Sequence, residues 1–463
     1  MSSTRLTPLD ASFLEVESST AHMHVGWASA FAPPADRRRP SFTELRDHVE
    51  GRLGRTPRYR QKLAEIPLGM SDPVWVDDDG FDISRHVRRA RCSNLHELAD
   101  TVMSAQLDRS RPLWELWIAD RLDDGRVGVV GKAHHCMVDG IAAVELATLL
   151  LDPSPEPPPP EPDGWHPAGA PRGWRLFAEG TLDRMRRSAS LALIPLELAR
   201  RPRRAVELLS TGARALRAVR HSLAPAPPSV LNERISAGRH LASARRPFAD
   251  LRLIKERYRA TVNDVVLASA AGGVRRFLEH RRETPGRLKA MVPVSVRDTG
   301  GAGELGNRIS FVFVELPCDE PAPAGRLTKV KAAMENRKQS GEPEGAQAVL
   351  QAMEYAPLTL QHAVSRAAAS ERAFNLVVSN IPGPAQPLYM LGCKLEEVYP
   401  VVPLADRHSV SIGFTTVDDQ AFFGVYASRE SLPDADDLAA SIAESVDELR
   451  ESIAQPIPAG AIR

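Results

Sequence analysis

The run Val127 to Gly140, VGVVGKAHHCMVDG, constrains the fold of this chain more than any other stretch. Val127 to Ala133 is rich in valine and glycine and follows the turn signal Asp123-Asp124-Gly125, so it reads as a buried strand entered from a hairpin. Ile141 to Leu151 reads as a helix, with Asp139 placed to cap its N-terminus. His134 and His135 stand at the strand end, where alternation sends neighbouring side chains to opposite faces. One imidazole can then enter a cavity while the other packs behind it. Imidazole moves protons near neutral pH, and a histidine on a rigid strand end suits a general base. Each residue alone has an ordinary explanation, a satisfied core histidine or a capping aspartate. The joint spacing His-His-x-x-x-Asp-Gly, closed by Gly140, carries the functional reading.

Size and charge narrow the options. The chain has 463 residues, enough for two or three packed units. Its 59 basic and 59 acidic residues cancel, which gives no electrostatic case for a nucleic-acid partner. Cys92, Cys136, Cys318 and Cys393 are scattered, without a Cys-x-x-Cys pair, so a reducing cytoplasm is the expected compartment and no zinc ribbon is indicated. No apolar run reaches the length of a membrane span, and the start of the chain lacks the apolar core of a signal peptide.

Three regions follow one another. Residues 1–151 mix strands and helices and end with the histidine segment. Residues 152–228 open with the Pro-rich, acidic stretch from Asp152 to Pro160 and continue, from Trp174 to about Leu223, as a basic helical segment that includes Arg200, Arg201, Arg203 and Arg204. That segment fits either a pair of solvated surface helices or an amphipathic surface lying on anionic lipid. Residues 229–463 form a second mixed unit.

Several shorter motifs have both a structural and a functional reading. Trp114, Leu116 and Ile118 alternate with Glu115, Trp117 and Ala119 in the hairpin before the histidines, so Pro112-Leu113-Trp114 is a candidate channel wall or a support. Thr261 and Asp264 have the spacing of a capping box, which leaves Asn263 without capping duty and free to donate to a developing oxyanion. Arg297 follows the strand-like Val292 to Val296. Ser379 and Asn380 open the segment Ser379-Asn380-Ile381-Pro382-Gly383-Pro384, which reads as a turn after the strand-like Phe374 to Val378. A His-Glu-x-x-His zinc motif, a Gly-x-Ser-x-Gly elbow and a phosphate-binding Gly-Lys-Ser/Thr loop are all missing. His22 and His24 share a strand face but have no evident third metal ligand.

Taken in order, these motifs resemble one family over nearly the whole chain. Leu6 to Leu14 with His22 to Gly26, Pro73-Val74-Trp75, Phe81 to Val87, Asp108 to Leu116, the histidine motif, Thr261 to Ala268, Val292 to Arg297, Gly306-Asn307 and Ser379 to Pro384 are similar to successive blocks of the bacterial wax ester synthase/diacylglycerol acyltransferases. That family belongs to the superfamily of chloramphenicol acetyltransferase and the peptide-synthetase condensation domains. The Asp-Phe-Gly-Trp-Gly motif of the related plant acyltransferases is absent.

The resemblance implies an α/β (α+β) fold of two chloramphenicol-acetyltransferase-like lobes with mixed sheets and an active-site tunnel between them. It also implies transfer of a fatty acyl group from acyl-CoA to diacylglycerol or a long-chain alcohol. His135 would be the general base, His134 a support, and Asp139 with Gly140 the residues fixing the loop. It further implies an ion pair from Arg297 to Asp139, and places Asn263 and Asp264 near the site and Ser379-Asn380 in the tunnel wall. Acyl-CoA is expected as a cosubstrate, with no bound cofactor and no metal. Peripheral association with the inner face of the membrane or with lipid bodies is expected as well. Two other readings keep parts of this picture: a carrier-protein-dependent acyltransferase of the same superfamily, and a non-catalytic lipid-binding or lipid-body protein. Cys136, next to His135, invites an acyl-enzyme, but a buried cysteine is commonly inert and direct transfer is expected.

Overall fold

In a computed structural model of the chain, the described residues are 4–36, 38–67, 71–137, 150–156, 158, 163–169, 178, 182, 224–296, 308–353 and 356–454. The first half contains β1 (Thr4–Arg5), α1 (Pro8–Val16), β2 (His24–Ala32), α2 (Phe42–Glu50), β3 (Gln61–Ala64), β4 (Val74–Asp77), β5 (Val87–Arg89), α3 (Leu95–Ser104), β6 (Trp114–Ala119) and β7 (Val127–His134). The second half contains β8 (Arg239–Pro247), α4 (Phe248–Tyr258), α5 (Val262–His280), β9 (Leu288–Val296), β10 (Arg308–Leu316), α6 (Pro323–Gln339), α7 (Glu342–Met353) and α8 (Leu358–Ala368). It continues through β11 (Leu376–Asn380), β12 (Tyr389–Met390), β13 (Cys393–Val401), β14 (Val410–Val417), β15 (Gln420–Ser428) and α9 (Ala435–Glu451).

Two six-stranded sheets carry the two lobes, in the orders β12-β13-β2-β7-β6-β5 and β10-β9-β11-β14-β15-β8, and a small sheet β1-β4-β3 flanks the first. Both large sheets are mixed: β5 runs parallel to β6, and β11 runs parallel to β9 and β14, while the remaining pairs are antiparallel. Every residue of β7 is buried, which accounts for its unbroken apolar reading: it is interior to the sheet, with β2 on one side and β6 on the other. The hairpin turn is where the sequence puts it, with Gly125 at φ +86°.

The sheets do not follow the division of the chain. Strands β12 and β13, from the second half, complete the sheet of the first, with β13 antiparallel to β2 from Lys394–Ala32 to Val401–Gly26. β13 also presses on the second sheet. A Cβ at Gly424 would lie 2.1 Å from the carbonyl oxygen of Pro400, so only glycine permits that approach. The two hydrophobic cores centre on β7 and on the helix α5, and Leu241, Phe422 and Tyr426 from the second half pack into the first.

Three helix starts show capping boxes: Thr7 with Asp10, Ser41 with Glu44, and Thr261 with Asp264. The segment just after the Pro-rich stretch is docked: Asp163 pairs with Arg60, whose guanidinium covers the ring of Trp165 at 4.8 Å. Among the described residues no helix is long and apolar enough to cross a membrane. The basic helical segment lies outside the described residues apart from Ala178 and Leu182, and the helix expected over 141–151 lies outside them apart from Leu150 and Leu151.

Candidate active site

β7 ends at His134, and the chain tightens into a 3-10 turn over His135–Met137. Two backbone hydrogen bonds hold this junction: the His134 N–H donates to Leu113 O at 2.9 Å and the His135 N–H to Met23 O at 2.9 Å. The expected separation of the two rings to opposite strand faces holds only in part, because the strand stops between them. Both rings meet the C-terminal end of α1, at different residues.

His135 stacks on Phe13, with ring centroids 3.7 Å apart and planes 11° from parallel. Its Nδ1 is enclosed without a hydrogen-bond partner, yet the residue as a whole is only partly covered. Burial lowers its pKa to about 4, with the adjoining His134 acting in the same direction. The imidazole is therefore neutral at physiological pH, with a ring nitrogen available to take a proton.

His134 is 1% exposed and faces inward. Its Nδ1 accepts from the Cys136 N–H at 3.2 Å, and its buried Nε2, which has no closer hydrogen-bond partner, faces Glu17 Oε2 at 3.5 Å. Burial would raise the Glu17 carboxyl; contact with His134 outweighs it, helped by Gln106 and Arg109, and brings the pKa down to about 2. His24 stands opposite His134 in the sheet register, its ring edge-on at 6.4 Å, and burial holds it well below the ordinary histidine range. Lys132, two residues before His134 on the same strand face, is 1% exposed and donates to the carbonyls of Val102 and Ala105 at the end of α3. Glu17 and His24 escape a sequence reading because the chain separates them widely from His134, with the early His22-Met23-His24 triplet as a signal; Lys132 lies beside the motif, but nothing local shows that its ammonium turns to α3.

The Pro112-Leu113-Trp114 motif is packed into the first core. Trp114 is fully buried, donates from Nε1 to Tyr59 O at 2.7 Å, and stacks on His86 at 4.8 Å. Trp117 lies under Arg88 at 4.2 Å and donates to Glu115 at 2.9 Å, away from the histidines. Asp264 closes the capping box on Thr261, at 2.7 Å between Oδ2 and Oγ1. Asn263 is partly covered in the first turn of α5, and among the described residues no hydrogen bond joins it to His134 or His135. The turn expected at Ser379 and Asn380 begins later: both are still paired to β14, and the chain turns from Ile381. Pairing with the parallel neighbour β14 carries the strand through Asn380, ahead of Pro382. Asp139, Gly140, Arg297, Gly306 and Asn307 lie outside the described residues.

Cys136 is 3% exposed, and burial raises its thiol well above the ordinary range, with Asp10 adding to the effect. A thiol held protonated is a poor nucleophile. Among the described residues no group of three or more His, Cys, Asp or Glu side chains is arranged to hold a metal ion.

A two-lobed arrangement with a histidine turn on an interior strand defines a class. The first condensation domain of the CDA synthetase shares the fold at a TM-score of 0.57 and 16% identity, over 98% of this chain and 97% of that one. The wax ester synthase/diacylglycerol acyltransferase from Marinobacter aquaeolei VT8 matches with a TM-score of 0.68 and 27% identity, over 97% of this chain and all (100%) of that one. Residues 6–266 match the wax ester synthase/diacylglycerol acyltransferase catalytic domain, and residues 305–450 the WS/DGAT C-terminal domain. A probable diacylglycerol O-acyltransferase of Mycobacterium tuberculosis is 32% identical over 97% of this chain and 99% of its own length, and a second from that organism is 30% identical over 95% and 94%. The chain belongs to the wax ester synthase/diacylglycerol acyltransferase family and is an acyltransferase.

Proposed function

We propose that this protein transfers a fatty acyl group from acyl-CoA to the hydroxyl of diacylglycerol or of a long-chain alcohol, with His135 as general base. The observation that carries the proposal is a neutral, partly open imidazole on the last turn of an interior strand, pinned against Phe13. His135 takes the hydroxyl proton as the oxygen attacks the thioester carbonyl; the tetrahedral adduct collapses, the C–S bond breaks, and the imidazolium returns the proton to the CoA thiolate. The acyl group passes directly between substrates, in keeping with the enclosed, protonated Cys136. Acyl-CoA acts as a cosubstrate, and the reaction calls on no bound cofactor or metal. Asp139 and Gly140 are assigned to fixing the loop that follows the histidines, with Arg297 from the second half as the ion-pair partner of Asp139, and a tunnel between the lobes would bring the two substrates together. Poorly soluble acceptors favour work at the inner membrane face or on lipid bodies, with the protein held peripherally from the cytoplasm.

The test is thioester release from a long-chain acyl-CoA with diacylglycerol, a long-chain alcohol or no acceptor. Release that depends on the acceptor is expected. His135→Ala should lower it by about 10²–10⁴-fold at an unchanged melting curve. No release with either acceptor, or full activity in His135→Ala, would overturn the proposal.

A further inference from the structure

Helix α1 touches both histidines at once. Phe13 and Glu17 are four positions apart, the spacing that aligns side chains along one helical face, with Glu17 serving as the C-cap. Phe13 covers the His135 ring, and Glu17 reaches His134 Nε2.

Glu17 is held from behind. Gln106 Nε2 donates to its Oε1 at 2.7 Å, and Arg109 Nε donates to its Oε2 at 2.8 Å, joined by Arg109 Nη2. The carboxylate side chain is 3% exposed, so these contacts act with little screening by water. On its other side, His134 has one tautomer open to it. The Cys136 N–H can only donate, so Nδ1 must be the acceptor and the ring proton sits on Nε2, facing Glu17. The backbone bond accepted by His134 is that of the residue directly after His135, so it fixes the turn from which the His135 side chain leaves. Arg109 and Gln106 thus fix Glu17, Glu17 faces His134 Nε2 at 3.5 Å, and His134 bonds the backbone of the histidine turn.

We propose that Glu17 is a positioning residue for the transfer reaction: its carboxylate holds His134 in the Nε2–H tautomer, His134 then holds the turn through the Cys136 N–H, and Phe13 fixes the plane of the His135 ring that this turn presents. The inference rests on the reading of His135 as the base. A carboxylate that served only as an ion-pair partner for Arg109 would affect folding without setting a tautomer.

The experiment uses the full chain labelled with ¹⁵N-histidine, compared as wild type, Glu17→Leu and Glu17→Gln, with the His134 signals assigned by their loss in His134→Gln. Wild-type His134 should show the Nε2–H pattern. Glu17→Leu, which removes the acceptor, should give a mixed tautomer and lower kcat roughly tenfold to hundredfold at an unchanged KM. Glu17→Gln keeps an acceptor oxygen and should retain the tautomer and kcat to within about threefold. An Nδ1–H tautomer in the wild type, an unchanged kcat in Glu17→Leu, or losses that merely follow the melting temperature would overturn the inference. If Glu17→Leu does not fold, the wild-type tautomer and the Gln variant still decide. Full activity in His135→Ala would instead strike the base assignment and leave the tautomer result standing.

Discussion

Two histidine–carboxylate groups of this fold sit in opposite surroundings. In the first, His134 and Glu17 are 1% and 3% exposed, surrounded by His24 and Lys132. In the second, His240 on β8 is 23% exposed and bridges Asp100 of α3 at 2.8 Å to Asp436 of α9 at 2.9 Å, while Arg429 also reaches Asp100. Burial lowers the His240 pKa too, but its hydrogen bonds to two carboxylates outweigh it and the net shift is upward. Around the histidine turn, burial dominates: His24 and His135 are pushed toward the neutral form. The same residue types thus make a charged clasp between lobes in one place and a set of neutral imidazoles in the other. Access to water and the number of facing carboxylates decide which.

The comparison predicts unequal costs. Lys132→Ala removes a buried cation that satisfies the end of α3 and lies 3.4 Å from Glu115, and should destabilise the fold by about 3–5 kcal/mol in urea unfolding. His240→Gln removes a wetter clasp, with Asp436 73% exposed, and should cost about 1 kcal/mol or less. Equal costs at the two sites would erase the distinction. The clasp should also show a pH signature. Because the folded pKa of His240 is raised above 6.5, its contribution is complete below that value and is lost as pH rises through the folded pKa. Melting temperatures measured from pH 6 to 9 should therefore fall less steeply in His240→Gln than in the wild type. The smallest effect is expected for Cys136→Ala, which should keep most of its activity; an acyl group on Cys136 after exposure to acyl-CoA alone would contradict direct transfer.

How much was legible in the sequence depended on distance along the chain. The histidine turn, the Gly125 hairpin and the Thr261–Asp264 box were readable because each is fixed by neighbours within a few residues. The tryptophans of the hairpin were ambiguous, since alternation gives a face but not what covers it; Tyr59 and His86 are what cover Trp114. Strands β12 and β13 gave no sign that they complete the first sheet, because pairing across more than 350 positions leaves no local pattern, as with Lys394 opposite Ala32. Glu17 was hidden for the same reason: its partners His134, Gln106 and Arg109 are brought together only by the fold.

The central claim is that burial under α1 keeps His135 a neutral base. It is tested most directly by following the His135 imidazole by NMR across pH in the full-length protein, with His135→Ala to assign the signal. The account predicts titration near pH 4, with kcat/KM level above about pH 5 and falling through the same value as the ring takes up a proton. Titration at or above the ordinary 6.5, with activity already falling there, would contradict it.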